Sequence, residues 1–365
     1  MDLYVGLISG TSMDAIDAVL VDFAHSPLSL VAASATSFDA QLKARITAII
    51  ESPERASLDE IGQLDVAIAR EFSTSTLELL RRAGVEPSQV AAVGSHGQTL
   101  RHRPDLPWPF TWQIGDPNTL AELTGITVVG DFRRRDVAAG GQGAPLLPVF
   151  HDQVFRSGGE DRVILNLGGI ANITVLARGK EVSGFDTGPA NRLLDAWILR
   201  HRGAAFDEHG AWSSTGEIDA ALLNHLLAEP YLALAPPKST GRELFNMPWL
   251  EERLGRRERR PQDVQATLLE YTAATVADAV HRHAPGASLY ACGGGAHNPA
   301  LLAALARRLA PARVATTAAL GLDPDYVEAI AFAWFARRTL GGLPSSAPSV
   351  TGARGARILG GIYPR

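Results

Sequence analysis

Cysteine is almost absent: among 365 residues only Cys292 carries a thiol. An intramolecular disulfide and a cysteine-rich zinc site are therefore excluded, and a reducing compartment is the expected setting. Long apolar runs are missing too. The stretch from Leu301 to Leu322 is broken by Arg307, Arg308 and Arg313, so no segment is expected to span a bilayer and no membrane partner follows. The opening Met-Asp-Leu-Tyr-Val-Gly shows no basic region leading into an apolar core and a cleavage site, which makes a cytoplasmic location the expectation. Lysine and arginine are scattered, and the formal net charge is −5. Nucleic acid is not expected as a partner, because phosphate neutralisation needs clustered cations.

Both common nucleotide fingerprints are also lacking. Lys238-Ser239-Thr240 looks like the end of a P-loop, but Pro236 and Pro237 stand where glycine is required. No Gly-x-Gly-x-x-Gly opens a helix after a strand. A nucleotide, if bound, must be gripped in another way.

What is present is a repeated plan. An apolar run from Leu3 to Ile8 leads through Ser9, Gly10, Thr11 and Ser12 into a second run from Ala15 to Phe23, which reads as a β-hairpin. The plan recurs where Val163 to Leu167 leads through Gly168-Gly169 into Ala171 to Val175. Helical spacing marks Ile61, Leu64, Ile68, Phe72, Leu79, Leu80 and Ala83, and short buried strands are expected at Val90 to Val93 and Ile126 to Val129. Val264, Leu268, Thr272, Val276 and Val280 step by four, predicting one buried face of a long helix. Asn298 before Pro299 predicts a helix start. Alternating strands and helices imply an α/β fold. The expected division is residues 1–140, with 345–365 returning to them, and residues 141–344.

Three glycine-bearing turns follow strands: Gly10 to Asp14, Gly168 to Asn172, and Gly293 to His297. Glycine permits positive φ and lets backbone amides approach an anion without an intervening Cβ. The third is expected to run straight into a helix N-terminus, whose amides attract anions. Taken alone, each of these reads more readily as a plain tight turn. Three in one chain point to phosphates, held between two hairpin turns across an interdomain cleft.

The motifs then resemble a known family. Gly10-Thr11-Ser12-Met13-Asp14-Ala15-Ile16-Asp17 is similar to the opening signature of the anhydro-N-acetylmuramic acid kinases. So are Gly94-Ser95-His96-Gly97-Gln98-Thr99, Gln113-Ile114-Gly115-Asp116, Asp131-Phe132-Arg133 and the run from Ala139 to Leu146. Asn166 to Asn172, Gly184 to Pro189, Pro237 to Glu243 and Cys292 to Asn298 continue the series in order over most of the chain. One departure is Ala15, where the family usually has glycine.

The resemblance implies a two-domain actin/hexokinase-like (ribonuclease H-like) fold with duplicated, hairpin-led mixed sheets and an interdomain cleft. It implies a kinase that uses ATP with Mg2+ and water to open the 1,6-anhydro ring of 1,6-anhydro-N-acetylmuramic acid. Phosphorylation of O6 would then give N-acetylmuramic acid 6-phosphate and ADP, in cell-wall amino-sugar recycling. Asp186 matches the family's catalytic aspartate. Gly10, Thr11, Ser12, Met13, Asp14, Ala15, Ile16 and Asp17 would form the first phosphate turn, Gly168, Gly169 and Asn172 the second. Gly293, Gly294 and Gly295 would meet the adenosine or α-phosphate. Ser12, His96, Arg133 and Glu328 are candidate sugar contacts. No metal ligand is assigned, and a homodimer is kept open.

Several local readings compete. Asp186 or Thr187 could cap a helix marked by Pro189, Leu193, Leu194, Trp197 and Ile198. Asp325 and Glu328 have the spacing of a capping box. Arg133 could belong to a solvated cluster with Arg134 and Arg135, and His96 and His297 could be structural. At the level of function, an actin- or chaperone-like ATPase switch and a same-fold kinase for another sugar are the alternatives. A serine hydrolase built on Ser95 or Ser12 with His96 lacks the Gly-x-Ser-x-Gly elbow.

Overall fold

The computed structural model describes every residue except Thr11, Ser12, Asp14 and Ser26. Of the residues read above as the first phosphate turn, Thr11, Ser12 and Asp14 therefore lie outside the description. Contacts divide the chain into two units, Met1–Phe150 with Tyr326–Arg365, and His151–Asp325.

In the first unit the opening apolar runs do form a hairpin. β1 (Leu3–Ser9) pairs antiparallel with β2 (Ile16–Asp22), and β2 with β3 (Ser29–Thr36). β1 is buried along its whole length, so it sits mid-sheet and needs no alternation of polar and apolar residues. β4 (Val90–Ser95) runs parallel beside β1. β5 (Gln98–Arg103) and β6 (Phe110–Ile114) make a separate hairpin, and β7 (Val128–Gly130) lies parallel to β4.

In the second unit β8 (Arg162–Leu167), β9 (Ile170–Leu176) and β10 (Ser183–Pro189) form an antiparallel meander. β11 (Ser288–Cys292) runs parallel to β8, and β12 (Val314–Thr316) parallel to β11. Finally β13 (Gly361–Tyr363) returns to the first unit and pairs antiparallel with β7.

The two sheets share one plan. The order β3-β2-β1-β4-β7 in the first repeats as β10-β9-β8-β11-β12 in the second, with the same strand directions. A hairpin-led meander extended by two parallel strands, made twice, is the ribonuclease H-like duplication of the actin/hexokinase-like fold.

Local chemistry accounts for the helices. Leu58–Ala83 starts at Ser57, whose Oγ accepts from the Glu60 amide at 3.0 Å, and ends at Gly84 in the left-handed region. Asp59 and Glu60 in its first turn and Arg81 and Arg82 in its last complement the helix dipole. Its buried face, Leu64, Ile68, Phe72, Leu79 and Leu80, joins the core of the first unit with Val5, Leu7 and Ile16. Pro261–His283 differs from the single buried face its spacing predicts. Gln265, Thr267, Glu270, Tyr271 and Thr275 are buried as well, because helices Asn191–Arg202, Ala220–Leu227 and Pro299–Leu309 and strand β10 pack around it.

The division of the chain also differs from the boundaries at 140 and 344 drawn from composition. Helix Val327–Leu340 packs on β1 and β4 and so belongs with the first unit. Two glycines permit that approach. A Cβ on Gly6 would lie 1.9 Å from the Ala329 carbonyl oxygen, and one on Gly94 would lie 2.0 Å from that of Phe332.

Buried histidines give the fold a pH signature. Burial pushes the pKa of His102 down to about 4 and that of His151 down to about 3, and drives His96 well below its ordinary value, with the Arg133 charge adding to the effect at His96 and His102. In the unfolded chain these rings take protons near pH 6.5. Their stabilisation is therefore complete above pH 6.5 and is lost as the pH falls toward the folded-state values. Each histidine should cost about 1.4 kcal/mol per pH unit within that window. Urea midpoints measured from pH 7.5 to 5 should fall on acidification, and His151→Phe should flatten that slope; an unchanged slope would contradict the assignment of His151 as a buried neutral ring.

Candidate functional site

In the second unit, chemistry-bearing residues gather at one edge of the sheet. β8 and β11 run parallel in a register that sets Cys292 beside Asn166, so the turn after β8 and the loop after β11 emerge together. Gly168 and Gly169 form the first, with neither in the left-handed region. A Cβ on either would meet nothing closer than 3.7 Å. The chain's own packing does not require glycine at these two positions, which leaves open backbone for a ligand to approach. The turn is fixed from behind: the Gly169 carbonyl accepts from the amides of Ala190 and Arg192 at 3.0 and 3.2 Å, and that of Gly168 from Asn191 at 3.1 Å.

Gly293 to Gly295 follow β11. Gly293 has φ +78°, and a Cβ there would lie 2.4 Å from Asn166 Oδ1; one on Gly295 would lie 2.7 Å from Leu167 Cβ and about as close to the Asn191 amide group. These two are fixed by the close approach of β8, whereas Gly294 faces open space. Asn191, whose Nδ2 donates to the Leu167 carbonyl at 2.9 Å, ties both loops together. Sequence reasoning passed over it; its place two residues beyond Gly184 to Pro189 was the available signal. The loop runs into a helix as expected: Gly294–His297 make a single 3-10 turn, and Asn298 caps helix Pro299–Leu309, its Oδ1 accepting from the Leu301 amide at 3.1 Å. His297 donates through its ring to neighbouring structure: its Nε2 lies 2.6 Å from Asp325 Oδ1.

Asp186 lies on β10, directly opposite Asn172 of β9. It does not cap the following helix, nor does Thr187: helix Asn191–Arg202 begins at Ala190 with no side-chain cap. β10 runs on to Pro189, so both residues lie inside the strand and short of the cap position, and the pairing register shifts between Asp186 and Gly188, where Gly188 has φ +151°. A bulge of this kind re-aims neighbouring side chains. Asp186 is held by one connecting segment. Tyr231 Oη donates to its carbonyl at 2.8 Å, its amide donates to the Lys238 carbonyl at 3.3 Å, and its Oδ2 accepts from the Thr240 amide at 2.9 Å.

The first unit contributes a second group of residues. His96 follows β4 and is buried. Its Nδ1 lies 2.9 Å from the Gly97 carbonyl and its Nε2 accepts from Arg133 Nε at 2.9 Å. Both ring nitrogens are thereby committed, with the proton on Nδ1. Arg133 Nη1 donates to the Gly143 carbonyl at 2.8 Å, so Arg133 is half-buried and ordered while Arg134 and Arg135 are exposed. The solvated-cluster reading holds for its neighbours and fails for Arg133. For Ser95 the hydrolase reading fails as well, since its Oγ makes no hydrogen bond among the described residues and both His96 nitrogens have other partners; Ser12 lies outside the description.

A cavity of about 150 Å³ opens beside His96, lined among others by Asp65, Ser95, Trp112, Gln113, Asp131 and Tyr363. Ser95 Oγ and Gln113 Oε1 are buried there without a partner among the described residues. Burial raises the pKa of both Asp65 and Asp131, against the pull of the Gly115 amide on the first and of Arg134 on the second. The sequence motifs containing Ser95, Gln113 and Asp131 were visible; Asp65, on a helix with no motif around it, was not.

Glu328 stands in the first turn of helix Val327–Leu340. The capping box is corrected: the N-cap position is Tyr326, with no side-chain cap, and the Asp325 carboxylate is engaged by His297. Glu328 is one helical turn before Phe332, whose ring lies 4.8 Å from that of His96. Around the hairpin turn, Met13 (φ +53°) and Ile16 bury their side chains in the core, so only their backbone can face a ligand. Gly10 accepts from the Met13 amide at 3.1 Å. Asp17 pairs with Ile8 across the hairpin, and Ala15 stands just ahead of β2. Among the described residues no helix is long and apolar enough to cross a membrane.

Comparison with known proteins shows what the whole chain is similar to. Two curated proteins, both anhydro-N-acetylmuramic acid kinases, are close relatives. That of Xanthomonas campestris pv. campestris strain 8004 is 53% identical over 99% of this chain and 97% of its own. That of Coxiella burnetii strain Dugway 5J108-111 is 49% identical over 99% and 97%. Among solved structures, the Acidaminococcus fermentans (R)-2-hydroxyglutaryl-CoA dehydratase component A superposes with a TM-score of 0.49 at 11% identity, covering 92% of this chain and 97% of that one. The family profile described as anhydro-N-acetylmuramic acid kinase matches residues 2–365, and the chain belongs to that family.

Proposed function

We propose that this kinase takes 1,6-anhydro-N-acetylmuramic acid, water and ATP to N-acetylmuramic acid 6-phosphate and ADP. The observation that carries the reading, beyond family membership, is the placement of Asp186. It stands on a bulged strand opposite Asn172, at a sheet edge where Gly168 and Gly169 leave backbone open that the fold itself does not need filled. In this reading Asp186 accepts a proton from water as the water oxygen bonds to the anomeric carbon. The bond from that carbon to O6 breaks, and O6 takes the phosphoryl group. ATP supplies that group. Gly168, Gly169 and the backbone at Gly294 suit its phosphates because no Cβ blocks the approach.

Magnesium belongs to the proposal as the ion carried on the nucleotide phosphates, which needs few protein ligands. Among the described residues no cluster of histidine, cysteine, aspartate and glutamate forms a separate metal site. On the first unit, the cavity beside His96 offers Ser95 Oγ and Gln113 Oε1 as acceptors for sugar hydroxyl and amide hydrogens. Asp65, Asp131 and Arg134 are charged groups lining that cavity, Arg133 reaches it through His96, and Glu328 enters the proposal from the family resemblance. The nucleotide and a recycled sugar meet in the cytoplasm, the location this proposal assigns.

The test is ADP release by purified protein with Mg-ATP, with and without the anhydro sugar. Sugar-dependent ADP and a ring-opened 6-phosphorylated product by mass spectrometry are expected, both abolished by EDTA. Equal ADP release without sugar would replace the proposal by an ATPase switch.

A further inference from the structure

Lys238 sits in a motif that resembles the end of a P-loop, yet its surroundings are those of a strut. Its Nζ donates to the carbonyls of Tyr231 and Leu232 at 3.2 and 3.1 Å. It lies over the rings of Tyr231 and Phe185, 4.8 and 5.8 Å from their centroids. The ammonium therefore points into protein carbonyls and aromatic faces, an arrangement that satisfies a half-buried cation. Phe185 is the residue before Asp186 on β10.

The geometry points to Lys238 as a positioning residue for the base. Residues 231 to 240 touch Asp186 at its carbonyl, its amide and its carboxylate, through Tyr231 Oη, the Lys238 carbonyl and the Thr240 amide. Between these contacts Leu234, Ala235 and Ser239 belong to no helix or strand, and Ala233, Leu234, Ala235 and Ser239 are exposed. Pro236 and Pro237 stiffen the backbone between them, but the exposed residues have little packing to fix where residue 240 lies. The Lys238 side chain closes the loop, tying residue 238 back to the turn Pro230–Ala233. It thus couples the two halves of the clamp: Tyr231 on one side, Thr240 on the other. A carboxylate that must meet water at one angle gains from being held at three points, since a misplacement of about 1 Å can cost ~10²-fold in rate.

The inference rests on Asp186 as the base, and the experiment separates the two. Lys238→Met, with the fold checked by circular dichroism, should lower kcat by about 10- to 100-fold and leave KM for ATP and for the sugar unchanged. Tyr231→Phe removes only the hydroxyl bond to the Asp186 carbonyl and should lower kcat by about 5- to 10-fold with the same KM pattern; it keeps the proposal testable if Lys238→Met does not fold. Lys238→Arg, which retains donors for both carbonyls and a planar cation for the rings, should recover part of the loss. In an Asp186→Asn background, Lys238→Met should change the residual rate little, because the clamp then has no base to hold. A raised KM for ATP with kcat preserved would make Lys238 a phosphate contact and overturn the proposal. Unchanged kinetics in both single variants would also overturn it. Near-native activity in Asp186→Asn alone would sink the base assignment instead, whatever Lys238 does.

Discussion

Asp186→Asn should lower turnover by about 10²- to 10⁴-fold, the range expected when a positioned proton acceptor is lost. The substitution is isosteric, and an amide oxygen can still accept from the Thr240 amide that now holds Oδ2 at 2.9 Å. The Tyr231 bond to the residue 186 carbonyl is a backbone contact and is kept. Binding of ATP and of the sugar, measured by calorimetry, should therefore persist while chemistry fails. Asp186→Glu separates charge from placement: the carboxylate survives but moves by one methylene, and a loss of about 10²-fold is expected from displacement alone. If Asp186→Asn turns over at a rate near that of the parent, another residue is the base.

The second large effect concerns stability. Gly6→Val should destabilise the protein by about 3 kcal/mol or more, because the added Cβ would stand 1.9 Å from the Ala329 carbonyl oxygen and 2.9 Å from the Ala333 amide nitrogen. Those are backbone atoms of a helix, so no rotamer change relieves the clash. The control is Gly62, exposed within helix Leu58–Ala83 with nothing near its Cβ position. Gly62→Ala should stabilise by about 0.5–1 kcal/mol through helix propensity and a less mobile unfolded chain. Denaturant midpoints moving in opposite directions would support both statements. A Gly6 variant as stable as the parent would mean that the helix does not press on β1.

Local signals made much of the fold legible. The repeated hairpins at Leu3–Asp22 and Arg162–Leu176 announced themselves by apolar runs around glycine turns, and Asn298 and Pro299 marked a helix start that the structure has. The membership of Val327–Leu340 was not legible, because it depends on Gly6 and Gly94, over two hundred residues away by sequence. Two cap readings failed for one physical reason. Asp325 and Asp186 had the right spacing, but a histidine took the first and a strand running on to Pro189 kept the second. Spacing names the residues able to cap; tertiary partners decide which do. The candidate site shows the same division. Its glycine turns were visible one by one, whereas Asn191, which ties two of them together, and the Tyr231–Thr240 clamp needed the register of β8 to β11 and the path of a loop without periodicity.

The discontinuity of the first unit has a consequence for how a ribosome delivers it. Residues 151 to 325 are contiguous and carry a whole sheet, so that unit can fold as soon as it emerges. The first unit is synthesised earlier yet must wait. Its glycine-faced strands β1 and β4 stay uncovered, and β7 lacks its edge partner, until helix Val327–Leu340 and β13 follow the second unit. The half made first is thus completed last. During that interval an unprotected edge is open to mispairing, and a nascent chain halted before residue 326 should present a finished second half attached to an unfinished first.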